Sequence, residues 1–227
     1  PPPSELAYLQ YTSGSTRFPR GTMLTQSAVM ANLKAIFNHG FRLTPGDRFC
    51  SWLPYYHDMG LVGIVLGCVA TQRSVDYLPT RDFAMRPRLW LKLMSQNRST
   101  ISFSPPFGYS LCARRLRASD TQELDLSAWR VAGIGAEMIH PESLVEFADS
   151  LESAGFDRRA FLPCYGMAEC SLAVSFAPLE GGARSDVVDM DRLAHDGEAI
   201  PVVADGAMPK GKAFIDCGPP LPGYEME

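Results

Sequence analysis

The sequence predicts an α/β fold, a largely parallel sheet flanked by helices. Three observations carry this. Short β-rich runs alternate with helical runs of about 10–15 residues. Glycine- and hydroxyl-rich stretches follow the ends of several β-rich runs, where open parallel sheets bind ligands. The composition, 46% apolar and 20% charged in 227 residues, suits a globular chain that buries a sizeable core.

The elements follow in order. Leu6–Thr12 is β-rich and predicts a strand, followed by a loop over 13–20 and a short strand, GTMLT, over 21–25. Ser27–Phe41 places Val29, Leu33, Ile36 and Phe37 at helical spacing. RFCSWLP (48–54) predicts a strand stopped by Pro54. His57–Val69 predicts a buried helix, SVDYLP (74–79) a strand and Arg88–Asn97 a helix. TISFS (100–104) predicts a strand closed by Pro105 and Pro106, with a helix over Phe107–Leu116. RVAGIGA (130–136) predicts a strand, and Pro141–Ala154 a helix with proline in its first turn. FLPCYG (161–166) predicts another strand. Residues 178–212, rich in Gly, Asp and Pro, predict a meander with one short helix near Met190–Ala194. The expected divisions are a core over 1–177, a distinct segment over 178–212 and the start of another β-subdomain over 213–227.

Charge and composition exclude several classes. A formal net charge of -4 argues against a general nucleic-acid binder, which needs a basic face. The longest apolar stretch, Gly60–Thr71, falls short of the roughly 20 residues that span a bilayer. No signal-peptide pattern opens the chain. The six cysteines are scattered without metal-ligand spacing, which predicts reduced thiols and a cytoplasmic location. The chain opens PPPSELAYLQ without Met and stops at PLPGYEME as a strand starts; a piece of a longer protein is expected.

The loop YTSGSTRFPRG (11–21) offers the hydroxyls of Thr12, Ser13, Ser15 and Thr16. Gly14 permits close backbone approach, and Arg17 and Arg20 add positive charge. Successive backbone N–H groups in such a turn form an anion nest. The pattern is not that of a Walker-type loop. Taken alone it reads slightly better as a polar surface turn.

In order, however, the loop resembles the phosphate loop of the adenylate-forming superfamily, which includes acyl-CoA ligases, luciferases and peptide-synthetase adenylation domains. Arg17 stands where that family usually has Gly, and Arg20 where it has Lys; the first departure resembles the fatty acyl-AMP ligase branch. LPYYHDMGL (53–61) resembles the family's second block, which implies His57 at the acyl-pocket wall. GIGAEMI (133–139) resembles the segment along adenine and ribose, which implies Gly135, Ala136 and Glu137 at the nucleotide. YGMAE (165–169) resembles the block that packs Tyr165 on adenine, sets Gly166, Met167 and Ala168 at the phosphate and puts Glu169 on Mg²⁺. Ala168 replaces a common Thr, as in the acyl-AMP ligase branch. CGPPLPG (217–223) resembles a later block.

The resemblance implies ATP and Mg²⁺ as cofactors and a fatty acid as substrate. Glu169, His57 and Arg20 become the catalytic candidates. Thr12, Ser13, Gly14, Ser15 and Thr16 would hold the β- and γ-phosphates. An acyl carrier protein thiol would receive the acyl group. GYSLC (108–112) and Gly133 would border the acyl tunnel. The long interval from Glu169 to Gly218 resembles the insertion that disfavours CoA in acyl-AMP ligases. Rival readings are a fatty acyl-CoA ligase, an amino-acid adenylation domain, for which YYHDMG offers no acid to hold an amino group, and a non-catalytic nucleotide-binding fragment.

Overall fold

A computed structural model describes residues 2–12, 20–202 and 211–226. The predicted fold class holds. A six-stranded sheet forms the centre. Its members are β3 (Phe49–Ser51), β4 (Val75–Tyr77), β5 (Ile101–Ser104), β6 (Val131–Ile134), β7 (Phe161–Gly166) and β8 (Ala173–Phe176), in the order β4-β3-β5-β6-β7-β8. All neighbours pair in parallel except β7 and β8. A separate hairpin pairs β1 (Leu6–Thr12) with β2 (Arg20–Thr25).

Alternation along β5 sorts the two faces, because successive side chains point to opposite sides of a strand. Phe103 points to the layer of α1 (Gln26–Ala35) and the wider turn Ile36–Gly40, where it meets Phe41. Ser102 points the other way and accepts the indole N–H of Trp90 in α4 (Arg88–Gln96). That second layer also holds α3 (Thr80–Met85), α5 (Pro106–Arg115) and α7 (Pro141–Leu151), joined by packed rings of Trp52, Phe83, Trp90, Tyr109, Trp129 and Phe147.

Two polar clamps are buried in this frame. Asp47 accepts from the Arg130 guanidinium, the Thr44 amide and hydroxyl, and the Thr100 hydroxyl, tying together the segments that lead into β3, β5 and β6. Asn32 of α1 donates to the Ala173 carbonyl and accepts from the Ala173 amide, pinning β8 to the helix. Buried polar groups need such partners.

Several boundaries differ from expectation. The expected strand over 48–54 keeps only Phe49–Ser51 in the ladder; Trp52 and Leu53 stay buried beyond it. The expected helix from His57 begins as wide turns over Met59–Leu66 and tightens into α2 (Gly67–Thr71). Gly60 lies against the Pro54 carbonyl, 2.2 Å from where a Cβ would stand. β8 was not expected from sequence, because only its pairing with β7 distinguishes a short apolar run as a strand. The meander contains β9 (Ser185–Asp189), paired antiparallel with β10 (Gly211–Ile215), and α8 (Met190–Asp196). The expected division between 212 and 213 therefore falls inside β10. No described helix is long and apolar enough to cross a membrane. All six cysteines are free thiols, and burial pushes those of Cys68 and Cys164 up to about 12.

Candidate active site

The sheet changes winding direction beside β3. The chain runs from β3 outward to β4, then returns past β3 to β5, so the carboxyl ends of β3 and β5 face a crevice. A cleft of about 180 Å³ opens at this end of the sheet. Its mouth is polar: His57, Asp58, Gly135, Ala136, Tyr165 and Gly166. Its inner wall is apolar, with Ile36, Phe41, Ile64, Phe103 and Phe176. Five of the residues expected at the site, His57, Gly135, Ala136, Tyr165 and Gly166, thus share one cavity.

Each is placed by a strand end. Gly135 and Ala136 follow β6, where the backbone bends over the end of β7. A Cβ at Gly135 would stand 2.9 Å from both the carbonyl oxygen and Sγ of Cys164. Ala136 sits in the left-handed region at φ 72, a conformation that strains a residue with a side chain and often marks functional loops. Tyr165 ends β7 opposite Ser175 and is 47% exposed, leaving a ring face free at the mouth. Gly166 passes so close to the Leu172 carbonyl that a Cβ would lie 1.9 Å from it.

His57 carries the clearest electrostatics. Its Nδ1 lies 2.7 Å from Asp58 Oδ1. The Asp58 carboxylate beside it, opposed by partial desolvation, raises the imidazole above its ordinary pKa. Nδ1 also accepts from the Met59 amide at 3.3 Å, so Nε2 is the ring nitrogen without a partner among the described residues. Asp58 also accepts from the Met59 amide at 2.7 Å. Tyr8 of β1 is half-buried, and its buried hydroxyl has no hydrogen-bond partner among the described residues. Burial and then the Asp58 charge push its phenol up to about 12, so β1 runs within electrostatic reach of the His57 pair.

Glu169 is exposed in the one-turn helix Ala168–Cys170, beside the cleft residues Tyr165 and Gly166. This turn packs against β1 and β2. Those strands pair Thr12 with Arg20, so their tip is the expected phosphate loop. Ser13, Gly14, Ser15, Thr16 and Arg17 lie outside the described residues, and only the backbone placement of Thr12 is described. Arg20 is exposed and makes no ion pair among the described residues. Glu137 and Met167 are exposed just outside the cleft lining, and Ala168 is buried beneath the turn.

The donors fit the groups expected. Glu169, an exposed carboxylate with no partner among the described residues, suits Mg²⁺, which is held by one or two carboxylates together with substrate phosphates. Among the described residues no cluster of three or more His, Cys, Asp or Glu could hold a metal alone. The exposed Tyr165 ring suits a flat base.

Of the residues expected at the tunnel, Ser110 and Leu111 line a separate cavity with Glu137 and Met138, while Tyr109, Cys112 and Gly133 do not line the cleft. Tyr109 and Cys112 of α5 are fully buried on the opposite face, and the Tyr109 hydroxyl donates to the Gly133 carbonyl at 2.9 Å. Gly133 lies behind the Phe103 ring and does not line the cleft. Sequence reading missed Asp58 as a partner of His57, although adjacency hinted at it. It also missed the wall of Ile36, Phe41, Phe103 and Phe176, which comes from elements without motifs.

A cleft at the carboxyl ends of a largely parallel sheet, with polar and apolar lining, is where α/β proteins bind small-molecule ligands. The AMP-binding enzyme family model matches residues 1–227, and the chain belongs to that family. It is 44% identical over 225 residues to a Caulobacter vibrioides protein named as an acyl-CoA synthetase, covering 99% of this chain and 39% of that protein. It is 36% identical to the medium-chain-fatty-acid–[acyl-carrier-protein] ligase JamA of Moorena producens, covering 97% and 37%. Among solved structures, one from a study of the fatty acyl-adenylate ligases of E. coli and L. pneumophila superposes with TM-score 0.93 at 56% identity, covering 97% and 40%. The L. pneumophila fatty acyl-adenylate ligase with acyl adenylate and pyrophosphate gives TM-score 0.90 at 32% identity, covering 96% and 38%. The chain thus spans about two fifths of the length of the proteins it matches.

Proposed function

We propose that the parent of this chain activates a fatty acid with ATP. A carboxylate oxygen attacks the α-phosphorus, the bond to the bridging oxygen of the β-phosphate breaks, and pyrophosphate leaves an acyl adenylate behind. The observation that carries this reading is the cleft in which polar and apolar lining meet, which suits a reacting carboxylate with a hydrocarbon tail.

The residues divide the work. The loop 12–20, Arg20 included, would hold the β- and γ-phosphates, and Glu169 would hold Mg²⁺, which neutralises charge on the phosphates. Tyr165, with Gly135, Ala136 and Glu137, would seat the adenosine, and Gly166, Met167 and Ala168 would run beside the α-phosphate. His57, oriented through Nδ1 by Asp58, would steady the carboxylate from Nε2. Protein groups fixed before the reaction stabilise the charge that develops in it. The acyl group would then pass to a carrier-protein thiol: sulfur bonds to the acyl carbon, AMP leaves, and the thiol proton is lost. The carrier-ligase relative supports that acceptor. The relative named as an acyl-CoA synthetase favours a second reading, with CoA as the acceptor.

The test is pyrophosphate release by the full-length parent, with fatty acids of increasing length, with and without CoA. Release without CoA supports adenylation. A thioester that forms only with CoA selects the second reading. No release with any fatty acid refutes both.

A further inference from the structure

We infer that Phe103, held in place by the absence of a side chain at Gly133, is the wall that sets the longest acyl chain this cleft accepts. The assignment rests on the acyl-binding reading of the cleft given above.

Three phenylalanines close the cleft on its apolar side: Phe41, Phe103 and Phe176. Their ring centroids lie 5.6 to 6.4 Å apart. They are not equivalent. Phe41 is 1% exposed and also packs on Phe37 and Phe49, so it belongs to the core. Phe176 sits on the edge strand β8, and a Cβ at Gly40 would stand 2.9 Å from its ring. Phe103 is 8% exposed, and among the described residues its ring packs on no aromatic side chain outside this trio. It stands on β5, directly at the winding switch.

The other side of the ring explains its position. A Cβ built on Gly133 of the neighbouring strand would lie 2.0 Å from two Phe103 ring atoms. The ring therefore occupies the space that any side chain at 133 would fill. Two opposite changes follow. Shrinking Phe103 extends the cleft across β5 toward β6. Adding a methyl at Gly133 drives the ring outward and shortens the cleft. A residue of merely structural importance would lower activity on all acids alike; a wall changes the ranking of acids by length.

The experiment is a length series of saturated fatty acids on the full-length parent, reading kcat/KM for pyrophosphate release. One buried methylene discriminates by about 10–200-fold. In Phe103→Ala the first acid too long for the parent gains at least about tenfold relative to the parent's best acid. Phe103→Leu, which keeps most of the packing, moves the profile the same way and decides the matter if the alanine variant does not fold. Gly133→Ala moves it toward shorter acids. The double variant Phe103→Leu with Gly133→Ala restores room for the methyl and moves it back. A parent that adenylates fatty acids with a profile unchanged in folded Phe103 variants overturns this inference alone. A parent that adenylates none overturns the underlying reading.

Discussion

His57 Nδ1 lies 2.7 Å from the carboxylate of Asp58, the next residue in the chain, and this pair sits on the wall of the cleft. The bond stabilises the imidazolium, so the His57 pKa is raised. A raised folded pKa adds stability that is complete below the unfolded pKa and is lost as pH rises through the folded one.

Asp58→Asn removes that stabilisation. The His57 titration is expected to move to lower pH, and the small stabilisation from the pair on the acid side disappears. An NMR titration of the His57 ring protons in both proteins checks the direction. An unmoved or raised midpoint would show that Asp58 does not govern this imidazole.

Asp47 gives the opposite sign. Burial works to raise its pKa, but the Arg130 guanidinium, the Thr44 amide and the Thr100 hydroxyl outweigh burial and hold it below the ordinary range. Its stabilisation is present above the unfolded carboxylate pKa, about 3.9, and is lost as pH falls through the lower folded value. Asp47→Asn leaves the half-buried Arg130 charge without its counter-ion and weakens hydrogen bonds to a buried side chain, a loss of about 1–3 kcal/mol. Urea unfolding from neutral into acid pH is expected to show a large loss at neutral pH that narrows in acid. Equal stability of the two proteins at neutral pH contradicts the clamp.

Glu169→Gln in the full-length parent should lower acyl-adenylate formation by about 10²–10³ without loss of stability, because an exposed carboxylate with no partner among the described residues carries little of the fold. Raising the Mg²⁺ concentration should recover part of the rate. Near-parental pyrophosphate release at low Mg²⁺ would remove Glu169 from the metal role.

Residues 185–215 should be removable. The Asp216 amide donates to the Arg184 carbonyl at 2.9 Å, so the two ends of the segment already meet. No residue of α8 is buried. Joining Arg184 to Asp216 through a short glycine link in the parent is expected to leave acyl-adenylate formation intact and to allow some acyl-CoA synthesis. A folded, adenylating variant that forms no acyl-CoA would separate this segment from the choice of acceptor.

Gly166→Ala should be severe for a local reason. The new methyl would lie 1.9 Å from a backbone carbonyl, that of Leu172, which cannot rotate away. The turn bearing Glu169 must shift. Activity of the parent is expected to fall by at least tenfold with a measurable drop in Tm. A fully active variant would show that this turn does not need its observed position.

Much of the protein is determined locally. The alternation of apolar runs, the prolines that stop them and the glycines after strand ends follow from backbone sterics and periodicity. Order in the sequence was therefore enough to locate β5, β6, β7, α4, α5 and α7, while His57, Gly135, Ala136, Tyr165 and Gly166 were singled out only by the resemblance of their blocks to the adenylate-forming family. Tertiary structure decided what depends on distant partners. β8 is a strand only because β7 offers it an edge. Asp58 becomes more than a helix-start acid only where its carboxylate meets His57 at the cleft. The GYSLC helix, expected at the tunnel, turned to the opposite layer because Tyr109 finds its ring partners and the Gly133 carbonyl there. The apolar wall could not be read from any motif. Phe41, Phe103 and Phe176 come from three separate elements, and apolar residues far apart in the chain meet only when the sheet and its helices close around one core.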